Sequence, residues 1–407
     1  MVPKGWSESY LGEVVTYKKG YAFNSSLYAE EGIRIVRISD TTRDSIHSDN
    51  PVFIAGGNVE GLEQYSLFEN DIILSTVGSR PHLLDSMVGK AVKVPRSAHN
   101  SLLNQNLVKL IPKKTKITNE YLFSMLKTKE FIQFISNLVR GNANQVSITL
   151  ADLFKYKFIL PSLPEQKKIA QILSTWDKAI SVTEKLLTNS QQQKKALMQQ
   201  LLSGEKRLLD ENGVRFSTEW EFKRISEIAT RVQRKNDAAE HPILTISSLS
   251  GFVRQDERYS RYMAGESVKN YILLKKGEFA YNKGNSKTYE FGCIFDLEAY
   301  EAGLVPHVYV CFRLKNGLSH RYFKYLFEAD YLKPQLGALV NTGVRNNGLL
   351  NIKPTEFMQT KVPVPCFEEQ ESIADMLYNS SRTIRVLQDK LACLKDEKKA
   401  LMQQLLT

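Results

Sequence analysis

Two stretches of this chain repeat apolar residues in alternating steps of four and three. The first runs through Ile169, Leu173, Trp176, Ile180, Thr183, Leu187, Ser190, Lys194, Leu197 and Leu201. The second runs through Ile373, Leu377, Ser380, Ile384, Leu387, Leu391, Leu394, Lys398, Leu401 and Leu405 in the same register. Such steps mark the seam of a heptad repeat, so each stretch predicts a helix with one apolar stripe. Pro164 stands at the entry of the first helix and Gly204 at its stop, with no proline or glycine between them. A helix of ~39 residues is about 60 Å long at 1.5 Å per residue. Its stripe must be buried, and the matching stripe is the obvious partner. The polar seam residues Ser190, Lys194, Ser380 and Lys398 weaken the seam but fix its register and orientation.

The likeness of the two stretches goes further. The nonapeptide Lys194–Leu202, KKALMQQLL, recurs letter for letter at residues 398–406, 204 residues later. At the same offset Pro161 falls on Pro365, Glu165-Gln166 on Glu369-Gln370, Ile169-Ala170 on Ile373-Ala374 and Leu110 on Leu314. Residues 117–126 match 318–327 with a shift of three, and 5–15 resemble 219–229 with a tryptophan leading each. A period near 200 residues is a duplicated domain with its tail, not a solenoid. Residues 16–100 and 230–300 share little. The tails stayed alike while the heads diverged.

Strand-like runs punctuate both heads, at residues 33–38, 71–75, 106–111, 243–246 and 307–314, with one helix expected near 118–139. This mixture predicts an α+β fold with a mainly antiparallel sheet. The whole reads as two globular heads separated by two long helices in an antiparallel coiled coil, a pseudo-two-fold internal repeat. The expected divisions are a first head at 1–163, a central helix at 164–204, a second head at 205–366 and a C-terminal helix at 367–407.

Composition narrows the function. Net charge is +11, which favours a polyanionic partner, most often nucleic acid. The four cysteines, Cys293, Cys311, Cys366 and Cys393, have no CxxC spacing, so neither a zinc site nor a disulfide framework is expected. No run of ~18 apolar residues suggests a membrane span, and no signal-type apolar core opens the chain, so the cytoplasm is the expected location. No GxGxxG, GxxxxGK[ST] or [DN]PP[YF] motif occurs, and Pro164-Glu165-Gln166-Lys167 opens a helix instead of forming a nuclease site. The chain reads as a binding module, not an enzyme.

Basic and amide-bearing residues gather in the loops of both heads. Lys, Arg, Asn and Gln are the side chains that reach phosphates and base edges. In the first head Arg80, His82, Asn104, Gln105 and Asn144 are candidates for base readout, with Lys18 and Lys19 on phosphates. In the second, Arg234, Lys283, Asn285, Lys287 and Arg345 take the first role and Lys235 the second. On the tails, Lys195, Gln199, Lys399 and Gln403 face away from the seam, so seam packing does not explain their identity.

The stretches 159–180 (ILPSLPEQKKIAQILSTWDKAI), 362–377 (VPVPCFEEQESIADML) and 194–208 (KKALMQQLLSGEKRL) resemble the conserved regions of type I restriction–modification specificity subunits. The second copy departs at Phe367-Glu368 and lacks the Trp176-Asp177 pair. The resemblance implies two target recognition domains, each reading half of an asymmetric bipartite site on double-stranded DNA. It implies that the helices set the spacing and dock two modification (methyltransferase) subunits, with restriction subunits supplying motor and nuclease activity. No cofactor is expected on this chain; S-adenosylmethionine would sit on the modification subunits. The alternative is a coiled-coil scaffold joining two protein-binding heads.

Overall fold

The computed structural model describes residues 5–42, 45–78, 88–142, 145–237, 239–258, 265–340 and 350–406. Both heptad stretches are helical over 40 residues, Leu163–Leu202 and Phe367–Leu406. Ser162 opens the first: its Oγ and backbone N–H donate to Glu165 Oε2 at 2.6 and 3.2 Å. The carboxylate thus takes up the Ser162 backbone N–H, one half of a capping box. Gly204 follows the end at φ +75°, a left-handed turn that suits a residue without Cβ.

The chain divides into two compact units, residues 1–184 with 389–407 and residues 185–388. The division falls near the middle of each long helix, because each half-helix is packed with the head it touches. In the first unit, Trp176 Nε1 donates to Glu397 Oε2 at 3.1 Å, Lys395 pairs with Glu184 at 2.8 Å, and Lys398 pairs with Asp177. Ile169 and Leu173, near the start of the first helix, share a core with Leu401 and Leu405, near the end of the second, so the pairing is antiparallel. In the second unit the end of the first helix, Met198, Leu201 and Leu202, shares a core with Ile373, Ala374 and Leu377 at the start of the second.

Every seam residue expected from the sequence is buried or half-buried, and Lys195, Gln199, Lys399 and Gln403 are exposed. The stripe widens at the helix ends. Met198, Leu202 and Leu406 also bury there, because the last turns pack on a head as well as on a helix. Each copy of the nonapeptide thus completes a core built by the other repeat. Leu401, Met402, Leu405 and Leu406 pack with Leu11, Ile169 and Leu173, while Leu197, Met198, Leu201 and Leu202 pack with Ile225, Phe357 and Ile373.

Both heads stand on the same four-stranded antiparallel sheet. Its order is Val15–Lys19, Leu107–Pro112, Ile72–Ser75, Ala91–Lys93 in the first, and Ala229–Arg231, Val310–Leu314, Phe279–Asn282, Cys293–Asp296 in the second. Leu110 lies opposite Tyr17 and Ile72, as Phe312 lies opposite Arg231 and Phe279. The structural counterpart of Leu110 is therefore Phe312, two residues from the sequence match with Leu314. The helix expected near 118–139 is two helices, Asn119–Leu126 and Lys129–Leu138. Thr128 breaks it: its Oγ1 donates to Met125 O at 2.7 Å and accepts from Phe131 N at 3.3 Å, capping the second helix.

Away from this shared frame the heads differ. The first adds a five-stranded sheet in which Ser101–Leu103 runs parallel to Ile33–Val36. The second has two separate strand pairs, Leu244–Ser247 with Gly251–Arg254 and Ile272–Lys275 with Ala302–Val305.

Candidate nucleic-acid interface

The frame of each head is tied to its helix start by the same set of bonds. Gln166 is fully buried. Its Oε1 accepts from Thr118 N at 2.9 Å, and its Nε2 donates to Pro161 O and Lys116 O at 2.9 Å each. Gln370, 1 % exposed, accepts from Ser319 N at 2.9 Å and donates to Pro365 O at 2.8 Å. The leading tryptophans reach the neighbouring glutamates: Trp6 Nε1 donates to Glu165 at 3.2 Å and Trp220 Nε1 to Glu369 at 2.9 Å. Tyr121 and Tyr322 donate to the carbonyls of Ile159 and Pro363. Lys113 and Lys315 donate to the carbonyls of Glu13 and Glu227. The recurring Glu-Gln dipeptide is thus a latch between head and helix.

The latches differ most at the glutamate. Glu165 is exposed, and its carboxyl is held below the usual range by the Ser162 hydroxyl and the Trp6 indole. Glu369 is fully buried, and Arg207 meets it with two nitrogens at 2.6 and 2.8 Å. A buried carboxylate needs that paired cation to offset its desolvation.

In the first head the structure joins two of the loops singled out from sequence. Gly20 N donates to Leu107 O, Tyr21 N to Leu103 O and Gln105 N to Tyr21 O, at 2.9, 2.9 and 2.8 Å. The approach is so close that a Cβ on Gly20 would lie 1.8 Å from Asn104 O. Only glycine fits there. Lys19, Gly20, Gln105, Asn106, Tyr17 and Thr149 line an open cleft of about 660 Å³. Lys19 and Gln105 are exposed; Asn104 is half-buried, with its backbone N–H on Val36 O at 3.1 Å. Lys18 bonds Gln64 and lies 5.2 Å over the Tyr65 ring, which packs 5.2 Å from Tyr21. Gln64, Tyr65 and Tyr21 were not foreseen as a group, since their association depends on a fold-back across the sheet.

In the second head Arg234 is half-buried and already paired. Its Nη1 and Nη2 bond Glu278 at 3.1 and 2.9 Å, and Nη1 also donates to Leu273 O at 2.9 Å. Glu278 is 3 % exposed, so this guanidinium neutralises a buried acid. Lys235 donates to Asn270 O at 3.3 Å. Lys283, Asn285 and Lys287 lie in the turn after Phe279–Asn282. That turn is shaped by Gly284 N on Asn282 Oδ1, Ser286 N on Tyr289 O, and Leu350 N on Lys283 O, at 3.0 Å each. Asn285 and Lys287 are exposed, and Lys283 is half-buried. Arg80, His82, Asn144 and Arg345 lie outside the described residues.

Residues 3–189 match the family described as Type I restriction modification DNA specificity domain. The Type I restriction enzyme MjaVIII specificity subunit of Methanocaldococcus jannaschii is 28% identical over 214 residues, 52% of this chain and 48% of that protein. The chain therefore spans about half the length of that relative. The Putative type I restriction enzyme MjaX specificity subunit of the same organism is 23% identical over 413 residues, 100% of this chain and 94% of that protein. The crystal structure of a type-I restriction-modification system S subunit from M. genitalium shares the fold, with TM-score 0.56 and 14% identity over 99% of this chain and 96% of that one. Among the described residues, no helix is long and apolar enough to cross a membrane.

Proposed function

We propose that this chain is a specificity subunit of a type I restriction–modification system, and assign a role to each part on that reading. Its family is the non-catalytic, DNA-recognition component of such systems. Each head reads one half of an asymmetric bipartite site on double-stranded DNA. The helix pair sets the half-site spacing. The exposed faces of the two nonapeptides dock two modification subunits, which carry S-adenosylmethionine, and the complex recruits restriction subunits in the cytoplasm.

One observation carries this reading. The same latch and the same four-stranded sheet recur in both units, while the outer strands of the heads are built differently. Identical partners require identical docking faces, and two different half-sites require two different readers. In the first head the readers are Gln105 and Asn104 at the cleft beside Lys19. Lys18 and Lys19 take phosphates. In the second they are Lys283, Asn285 and Lys287 with Lys235 on phosphate, and Arg234 is taken up by Glu278 and the Leu273 carbonyl. Arg80, His82, Asn144 and Arg345 complete the candidate set.

The test is methylation mapping of host DNA followed by binding to duplexes with and without the mapped site. Gln105→Ala should weaken specific binding more than non-specific binding. Lys19→Ala should weaken both and reduce the salt slope by about one. Equal loss on mapped and random duplexes for both variants would remove this assignment. A chain that assembles with a modification subunit yet selects no sequence would favour the scaffold alternative.

A further inference from the structure

Matching faces of the two heads, beside the proposed docking ends, carry opposite charge. Lys93 stands opposite Ile72 on the last strand of the first sheet, and Asp296 stands opposite Phe279 on the last strand of the second. The following helices start from equivalent caps, Thr118 and Ser319. Counted from those caps, Phe123 matches Lys324, and Lys127 matches Glu328. In the first head the Lys93 and Lys127 ammonium groups lie 4.8 and 5.3 Å from the Phe123 ring centre. In the second head, Asp296 and Glu298 surround Lys324, with Nζ distances of 3.9 and 2.5 Å. The exchange replaces two cations around an aromatic ring by two carboxylates around one lysine, with a third carboxylate, Glu328, paired to Lys194.

This face adjoins the docking end. Glu328 lines a cleft of about 450 Å³ together with Lys195, Met198 and Gln199, and it bonds Lys194 at 2.5 Å. It also lines the neighbouring cleft that holds Asp296, Glu298 and Lys324. In the other repeat the lysine equivalent to Lys194 is Lys398, which pairs with Asp177 on the first helix. A lysine at position 127 offers it no carboxylate.

We infer that the two ends bind the same partner with unequal affinity, set by the opposite charge of the head face beside each docking end. The inference rests on the reading that two modification subunits dock on the helices. One partner edge, presented twice, meets attraction at one end and repulsion at the other. Rim charges of this kind act through solvent and weaken as salt shortens the screening length from ~14 Å at ~50 mM to ~4 Å at ~500 mM.

The experiment titrates the purified modification subunit encoded with this chain onto the full-length chain, followed by native mass spectrometry and calorimetry at both salt concentrations. Two bound copies are expected, with affinities at least about tenfold apart at ~50 mM salt and a much smaller gap at ~500 mM. Lys127→Glu and, separately, Glu328→Gln should each narrow the low-salt gap by changing one binding step only. Equal affinities at low salt, or a gap that ignores both salt and these substitutions, would overturn the inference while leaving the docking reading in place. Failure to bind any copy would overturn the docking reading, and this inference with it.

Discussion

Replacing Gln166 by alanine should loosen the first unit and leave the second latch intact. The side chain is fully buried and makes three hydrogen bonds of 2.9 Å. Alanine strands the Thr118 N–H and removes the donor from two carbonyls. An orphaned buried donor costs about 1–3 kcal/mol, and the truncation adds a cavity, so the loss should be about 3–5 kcal/mol. Gln370 has one fewer such bond, to Ser319 N and Pro365 O only, so Gln370→Ala should cost less, about 2–4 kcal/mol. Gln166→Met fills the space without bonding and isolates the polar share. Gln166→Glu would face two carbonyls with an oxygen, and should regain stability as pH falls and the buried carboxyl takes up a proton. Because the chain has two units, a single unfolding midpoint would mix them. Hydrogen exchange resolved by peptide separates residues 113–126 and 161–173 from 315–328 and 365–377. A change below about 0.5 kcal/mol for Gln166→Ala, or equal loosening of both latches, would refute the reasoning.

Gly20→Ala should disrupt the first head at its cleft, since the new Cβ would meet Asn104 O at 1.8 Å. The expected loss is about 2–4 kcal/mol of first-unit stability with weaker DNA binding, read by hydrogen exchange and gel shift; an unchanged variant would count against the described approach of the two loops. Asp330 sits at φ +55°, and burial pushes its carboxyl up to about 6. A raised folded value means that the folded state holds its proton longer than the unfolded chain, so stability contributed below pH ~4 is lost as pH rises to about 6. Asparagine suits the left-handed turn and carries no charge. Asp330→Asn should therefore flatten that pH dependence and raise second-unit stability at pH 7 by about 1–2 kcal/mol, after allowance for solvent at this half-buried site. A pH profile unchanged by the substitution would remove Asp330 as its source.

The helices were legible in the sequence because their packing surface is local in register. Steps of four and three keep one stripe on one side, whatever the partner, and all the seam residues named from that rule are covered. The repeat was legible for the same reason: shared residues such as Glu-Gln and the nonapeptide sit at a fixed offset. Tertiary structure alone decided what those shared residues do. Gln166 bonds Thr118 at a separation of 48 positions and Trp6 meets Glu165 at 159, and neither contact follows from spacing. It also showed that each nonapeptide completes the core of the other repeat's head, because antiparallel pairing carries a tail away from its own start. It set the role of Arg234, whose residue type fits DNA but whose neighbour is a buried acid. Sequence fixes which side chains can bond; the fold determines which of them meet and which are already occupied.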